Sequence, residues 1–310
     1  MSTSRLTSDK IKNFALELGF DACGICPADV DITYFERYND WLKSGYNAEL
    51  FYLNKNLYIR KNPALLVENA KSLIVVIFNY FNNKKNADFI FAKYAYLIDY
   101  HNIIKYKLNQ LLIKIQESDN CINGRVFCDS APIFERYFAQ KAGLGFIGKN
   151  NCFINETIGS FVFIGEIIID KELEYDNENT KSCLGCNKCI KSCPTGALSE
   201  FCLIADKCIS YQTIEKKTTI SEDIAAKAKN RIFGCDICQE VCPHNNICVE
   251  NPKIVQYFSN EVINFQIEEV EKMSESVFQK KFSQSALSRI KKDKILSDAC
   301  LATTSLCRSS

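Results

Sequence analysis

Eight of the seventeen cysteines in this 310-residue chain are spaced to hold metal. Cys183, Cys186, Cys189 and Cys193 follow the pattern C-x2-C-x2-C-x3-C, with Pro194 directly after. This is the spacing of bacterial ferredoxins, in which three close thiolates wrap one [4Fe–4S] cubane and the fourth crosses to a second cluster. Pro194 turns the chain away and removes a backbone donor. Cys235, Cys238 and Cys242, followed by Pro243, repeat the motif with Ile232 at the place of its first cysteine. A replacement ligand must come from elsewhere. Cys208 is the natural candidate, and on spacing alone Cys202 competes with it. The crossed arrangement gives one cluster Cys183, Cys186, Cys189 and Cys242, and the other Cys193, Cys208, Cys235 and Cys238. Two structural zinc sites are the competing reading, but zinc ribbons use separated C-x2-C pairs, not an overlapping run ending in Cys-Pro. The lone pair Cys23 and Cys26 reads as small buried residues of a strand. Cys121, Cys128, Cys152, Cys248, Cys300 and Cys307 have no ligand partner at useful spacing.

The surrounding elements must position these thiolates. With 47% hydrophobic and 24% charged residues the chain reads as globular, and 310 residues allow a sizeable buried core. Net charge is +1, so any nucleic-acid surface must be local. No stretch approaches the roughly 18 apolar residues of a membrane helix. The N-terminus shows no signal-peptide core, and the many unpaired thiols fit a reducing compartment, so a cytoplasmic protein is expected. Apolar spacing predicts a helix over 9–18 capped by Ser8, helices over 33–43 and 92–117, a buried strand over 72–80, a short strand over 125–128 and a helix over 132–142. Residues 144–170 are Gly-punctuated and β-rich. The fold class is therefore α+β or α/β. Three segments are expected: 1–175 as the catalytic domain, 176–250 as a ferredoxin-like two-cluster module, and 251–310 as a helical tail.

A pure electron carrier needs only about 60 residues, and residues 1–175 precede the clusters here. A catalytic domain fed by a ferredoxin-like module is the simplest reading. No G-x-G-x-x-G or G-x-x-x-x-G-K-[ST] motif suggests a nicotinamide or ATP site.

Several segments together carry a resemblance. They are Arg60-Lys61-Asn62-Pro63, Asp99-Tyr100-His101, Phe127 to Arg136 with its Asp129-Ser130-Ala131-Pro132, Lys141 to Asn150, Gly165-Glu166-Ile167 and Phe233 to Pro243. In order along nearly the whole chain, they resemble the epoxyqueuosine reductase family. The resemblance implies a cobalamin-binding α/β domain similar to that of reductive dehalogenases, two [4Fe–4S] clusters and a cytoplasmic enzyme. It further implies reduction of the epoxide of epoxyqueuosine to an alkene at the wobble position of tRNA. The partners it implies are the tRNA anticodon stem-loop and an external electron donor; no membrane is involved, and a monomer is the default. Many family members carry a longer C-terminal extension of helical repeats, whereas this chain stops at residue 310.

Epoxide reduction to an alkene takes two electrons and two protons and releases water, so a general acid must stand beside the leaving oxygen. The resemblance places the family's proton donor at Asp129. Its pKa is expected to be raised by burial against the corrin. Read without the resemblance, Asp-Ser-x-Pro also suits an ordinary helix cap. Cobalamin contacts are expected from Gly148, Lys149 and Asn150 as a turn with backbone donors, from Gly234 and Asp236 beside the cluster ligands, and from Arg60, Tyr100 and His101. The only histidines are His101 and His244, and neither is taken as an axial ligand. Lys216, Lys217, Lys227, Lys229, Arg231 and the basic residues of 280–294 are candidates for tRNA phosphates, though charge runs are usually solvated faces. The alternatives are a corrinoid iron–sulfur enzyme similar to reductive dehalogenases acting on a small molecule, and an electron-transfer protein with no substrate.

Overall fold

The computed structural model describes residues 6–183 and 185–308. Helix α1 (Ser8–Glu17) is capped by Thr7, whose hydroxyl accepts from the Lys10 N–H at 3.3 Å. The cap expected of Ser8 thus falls one residue earlier, because the Ser8 hydroxyl donates to the Glu174 carbonyl at 2.8 Å. After β1 (Ala22–Pro27) come α2 (Ile32–Lys43) and the short α3 (Leu57–Lys61), which carries Arg60. Strand β2 (Ser72–Asn79) follows, then β3 (Ile90–Phe91), α4 (Tyr100–Ser118), β4 (Gly124–Phe127) and α5 (Glu135–Lys141). The hairpin β5 (Phe146–Ile147) and β6 (Phe153–Ile154) leads into β7 (Val162–Ile169), a single strand across both apolar runs of that region.

Strands β1, β2, β7 and β4 form one sheet in the order β1-β2-β7-β4. Every pairing is antiparallel, which favours α+β over α/β. All eight residues of β2 are buried, which explains its unbroken apolar run. Ile74, Val76 and Phe78 face a core shared with α1 and α4, and Leu73, Val75 and Ile77 face a second core shared with α5. Each such side chain stabilises the fold by about 1.5–3 kcal/mol.

Two helix starts differ from the sequence expectation. Residues 93–96 form a separate 3-10 turn, and α4 begins at Tyr100, where the Asp99 carboxylate accepts the His101 N–H at 3.0 Å. Helix α5 begins at Glu135, not at Pro132, and its N-terminus has no side-chain cap.

The cysteine-rich part comprises α6 (Lys188–Ser192), the hairpin β8 (Leu198–Ser199) and β9 (Cys202–Leu203), a π-helical turn Tyr211–Glu215, α7 (Glu222–Ala228), β10 (Arg231–Phe233) and α8 (Ile237–Glu240). The tail carries α9 (Asn260–Ile263), α10 (Ile267–Glu271), α11 (Glu275–Lys281) and α12 (Lys292–Arg308). These segments interlock. Strand β10 pairs in parallel with β3, and Phe91 and Tyr96 share one core with Phe233, Phe278, Phe282 and Ile295.

Candidate active site

In space the cysteines sort into two groups. Cys242 faces Cys183, Cys189 and Cys186. Cys208 faces Cys238 and Cys193, and Cys235 faces Cys208 and Cys238. Cys193, Cys208, Cys235 and Cys238 ring a cavity of about 320 Å³. Cys202 does not line it; it pairs with Ser199 in the β8–β9 hairpin. Backbone donors point at the sulfurs. The Ala197 N–H meets Cys193 Sγ at 3.3 Å, and the N–H groups of Ile190, Tyr211, Ile237 and His244 serve Cys189, Cys208, Cys235 and Cys242. Such donors favour thiolates and suit iron–sulfur centres.

A second cavity, of about 1200 Å³, is lined by Arg60, Tyr100 and Asp129 together with aromatic residues such as Tyr38, Trp41 and Phe163. Tyr80, Tyr94, Cys152 and Gln239 line both cavities, so the two share a wall. Arg60 is buried, its guanidinium lies over the Tyr38 and Phe134 rings, and its Nε has no partner.

Asp129 stands on the cavity wall with φ at +56°, a left-handed conformation that few residues other than glycine adopt. Its neighbours hold it there. Its N–H donates to Glu135 Oε1, the Tyr100 hydroxyl donates to its Oδ2 at 2.9 Å, and His101 Nε2 lies 3.2 Å from the same oxygen. The other ring nitrogen, His101 Nδ1, is 2.7 Å from Asp99 Oδ1. Both nitrogens therefore face carboxylates, and only the imidazolium can donate to both. Tyr100 is itself stacked between His101 and Phe163, at centroid distances of 4.2 and 4.3 Å.

The electrostatics follow this geometry. Burial pulls the His101 pKa down, but its bonds to Asp129 and Asp99 outweigh that and raise it to about 9. Burial raises the Asp129 carboxyl, yet the bonds from His101 and Tyr100 prevail and hold it below the usual carboxylate range. In the protein by itself the upward pull of burial on Asp129 is thus outweighed by the cation and the phenol that face it. The raised carboxyls lie behind it. Burial and the Asp129 charge push Glu135 up to about 8, and burial with the charges of Glu135 and Asp129 pushes Glu166 well above the usual range. Nor is Asp129 a helix cap, since its carboxylate accepts no N–H from α5.

Residues 60–130 match the family model described as "Epoxyqueuosine reductase QueG, DUF1730", and residues 182–245 match "4Fe-4S double cluster binding domain". The epoxyqueuosine reductase of Cyclobacterium marinum is 41% identical over 94% of this chain and 95% of its own length. The chain belongs to the epoxyqueuosine reductases. A crystal structure of an epoxyqueuosine reductase with an epoxyqueuosine-modified tRNA-Tyr stem loop matches with a TM-score of 0.85 and 27% identity, over 96% of this chain and 80% of that one. A catabolic reductive dehalogenase matches with a TM-score of 0.50 and 12% identity, over 99% of this chain and 37% of that one, which is a likeness of fold.

Among the residues singled out in this epoxyqueuosine reductase sequence, the structure brings Arg60, Tyr100, His101 and Asp129 together. It places Gly148, Lys149 and Asn150 elsewhere, braced against the cluster loops. Lys149 Nζ donates to Asn187 Oδ1 at 2.8 Å and to Glu200 Oε1 at 2.6 Å, and Asn150 Nδ2 donates to the Cys238 carbonyl at 3.3 Å. The Gly148 N–H closes the turn onto the Cys152 carbonyl at 2.9 Å. Gly234, at φ +74°, lies so close to Ala92 that an added Cβ would stand 2.6 Å from its methyl. Asp236 is buried and accepts the Lys93 N–H at 2.6 Å. Neither of these two lines the large cavity. His244 packs edge-on against Phe146, with centroids 5.2 Å apart.

Lys294, in the basic tail, is buried in an ion pair with Asp298 at 2.8 Å and is unavailable to phosphate. Cys152, which has no partner by spacing, lies beside Cys238; the Cys307 side chain lies outside the described ones. Sequence reasoning assigns no role to Glu135, Glu166 or Cys152. The signal it offers is Glu166, a lone charge inside an apolar strand. No helix among the described residues is long and apolar enough to cross a membrane.

Proposed function

We propose that this chain reduces epoxyqueuosine to queuosine in tRNA, with cobalamin in the large cavity and a [4Fe–4S] cluster on each cysteine group. The observation that carries the reading is the shared wall. The cavity presenting Asp129 abuts the cavity ringed by Cys193, Cys208, Cys235 and Cys238. Cys183, Cys186, Cys189 and Cys242 would hold the outer cluster, which takes electrons singly from an external donor.

The residues present fit the corrinoid. The cavity exceeds the roughly 300–1,000 Å³ of drug-sized pockets, its walls are aromatic, and the unpartnered Arg60 Nε is a buried donor awaiting an acceptor. Bound there, cobalamin would supply a strongly reducing cobalt able to open the epoxide. The chain's own residues do the rest. Tyr100 and His101 orient Asp129 Oδ2, and the proton shared along His101 Nε2 and Asp129 goes to the leaving oxygen. Arg289, paired with Glu215 at 2.8 Å, adds positive potential near Asp129, Tyr94 and Tyr100. The target base would leave the anticodon stack to reach this depth. The enzyme acts in the cytoplasm, as a monomer, with residues 1–175, 176–250 and 251–310 as catalytic, electron-transfer and supporting segments.

The test is Asp129→Asn in protein carrying both clusters and cobalamin, assayed with reductant and epoxyqueuosine-containing tRNA by nucleoside analysis. Cluster spectra and corrinoid binding are expected to persist while turnover falls about 10²–10⁴-fold. Unchanged turnover would remove Asp129 from the chemistry. An intact wild-type protein that leaves the nucleoside unconverted would overturn the function itself.

A further inference from the structure

Glu166 occupies a place where the fold needs an apolar residue. It sits in the middle of β7, paired with Val75 of β2 and Phe127 of β4. Its neighbours on that face, Ile164 and Ile168, belong to the core under α5. The side chain is wholly buried, and its carboxyl meets no hydrogen-bonding group other than the Glu135 carboxyl. An ionised carboxylate there would cost several kcal/mol, so the side chain is held as the neutral acid. A buried acid whose one polar neighbour is a second acid calls for another explanation.

The polar group beside it is Glu135, at the start of α5. Glu135 in turn touches Asp129, accepting its backbone N–H on Oε1 and leaving the second oxygen to carry a proton. Three carboxyls thus run from the sheet interior to the cavity: Glu166, Glu135, Asp129. The charged groups facing Glu135 are Asp129, Arg136 and His101. The thiols within range of Glu166 are Cys26 and Cys128, both neutral because burial pushes them up.

We propose that Glu166 and Glu135 form a buried proton relay that reloads Asp129 from the interior of the sheet and delivers the second proton of each turnover. The inference rests on Asp129 being the proton donor in epoxide reduction. In the reaction both carbon–oxygen bonds of the epoxide break, a carbon–carbon double bond forms, and the oxygen leaves as water. The two electrons come from the external donor through the clusters. The first proton is the one shared by His101 and Asp129. The second passes from Glu135 to the Asp129 carboxylate and on to the oxygen, and Glu166 replaces the proton on Glu135. After product leaves, two protons from the bulk solvent enter through the emptied cavity, one remaining on the His101–Asp129 pair and the other passing back through Asp129 and Glu135 to Glu166. Glu135 and Glu166 touch no reacting atom; they act through Asp129.

Glutamine replacements separate relay from scaffold. In Glu135→Gln the amide oxygen still accepts the Asp129 N–H, and in Glu166→Gln the amide matches the neutral acid in shape, but neither amide passes a proton. In holoprotein, infrared spectra at pH 7 are expected to show two buried protonated carboxyls. One should vanish in Glu166→Gln and the other in Glu135→Gln. Cluster absorbance and melting temperature should stay at wild-type values, and single-turnover conversion of epoxyqueuosine-tRNA should slow about 10²-fold in each variant. The wild-type rate should fall as pH rises through about 8, where Glu135 loses its proton, and Glu135→Gln should lose that limb. Wild-type rates in both variants, or carboxylates already ionised at pH 7, would overturn the relay. Should Glu166→Gln fold poorly, Glu135→Gln decides the matter alone. Activity retained in Asp129→Asn would instead refute the donor assignment, so the two failures are distinguishable.

Discussion

Asp129 owes its left-handed backbone and its low pKa to the same set of neighbours. Glu135 takes the N–H, while Tyr100 and His101 take the carboxylate. His101 is the hinge of this set, because it joins Asp99 to Asp129 and carries the positive charge. Its pKa rises from 6.5 to about 9 on folding. A raised folded-state pKa adds stability that is fully present below the unfolded value, near 6.5, and is lost as pH climbs through about 9. His101→Gln is therefore expected to unfold at lower urea than wild type at pH 6, by about 1–2 kcal/mol once solvent screening is allowed for. At pH 10 the gap should close. A gap of equal size at both pH values would mean that packing against Tyr100, and not charge, is what His101 contributes. The same substitution frees the Asp129 carboxyl from its cation, so the Asp129 pKa should climb.

At the scale of elements, the three-residue turn Ala205–Lys207 and the π-helical turn Tyr211–Glu215 favour Cys208 over Cys202 as the eighth ligand we propose. Between them they aim Cys208 at Cys193 and Cys238, whereas Cys202 is held in a hairpin strand. Cys208→Ser is expected to lose about half the bound iron and the electron paramagnetic resonance signal of one reduced cluster, and Cys202→Ser to keep both. The reverse outcome would exchange their roles. Spacing singles out the other seven cysteines because a cubane fixes distances between near neighbours along the chain. Cys208 lies apart from both runs, so spacing makes it the natural candidate without excluding Cys202. The strand over β2 was legible for a similar reason: a strand buried on both faces must be apolar throughout. The start of α4 was not legible, because apolar periodicity runs on past the Asp99 cap. Glu166 and Glu135 were visible as residues, but their meaning depends on burial and on a contact between α5 and β7, which one-dimensional pattern does not carry. Asp129 shows the limit most clearly. The motif marks its position, while the His101 and Tyr100 contacts that pull its pKa down exist only in three dimensions.

At the scale of the molecule, the tail is a buttress for the cluster region and not an appendage. Lys294 of α12 donates to the Gln212 carbonyl at 2.9 Å and the Thr218 carbonyl at 3.1 Å, while its partner Asp298 accepts the Ile220 N–H at 3.0 Å. These contacts clamp the π-helical turn that follows Cys208, and both side chains of the pair are buried. Removing one member of a buried pair strands the other charge, at a cost of about 3–5 kcal/mol, whereas replacing both with apolar residues is often neutral. Asp298→Ala is thus expected to melt well below wild type, and on warming the cluster proposed on Cys208 should bleach before the one proposed on Cys183, Cys186, Cys189 and Cys242. The double variant Lys294→Met with Asp298→Leu should recover most of the lost melting temperature. It should not recover all of it, since the Ile220 N–H and two backbone carbonyls lose their partners. Simultaneous bleaching of both clusters in Asp298→Ala would show that α12 supports the whole molecule equally, and the local clamp would have to be abandoned.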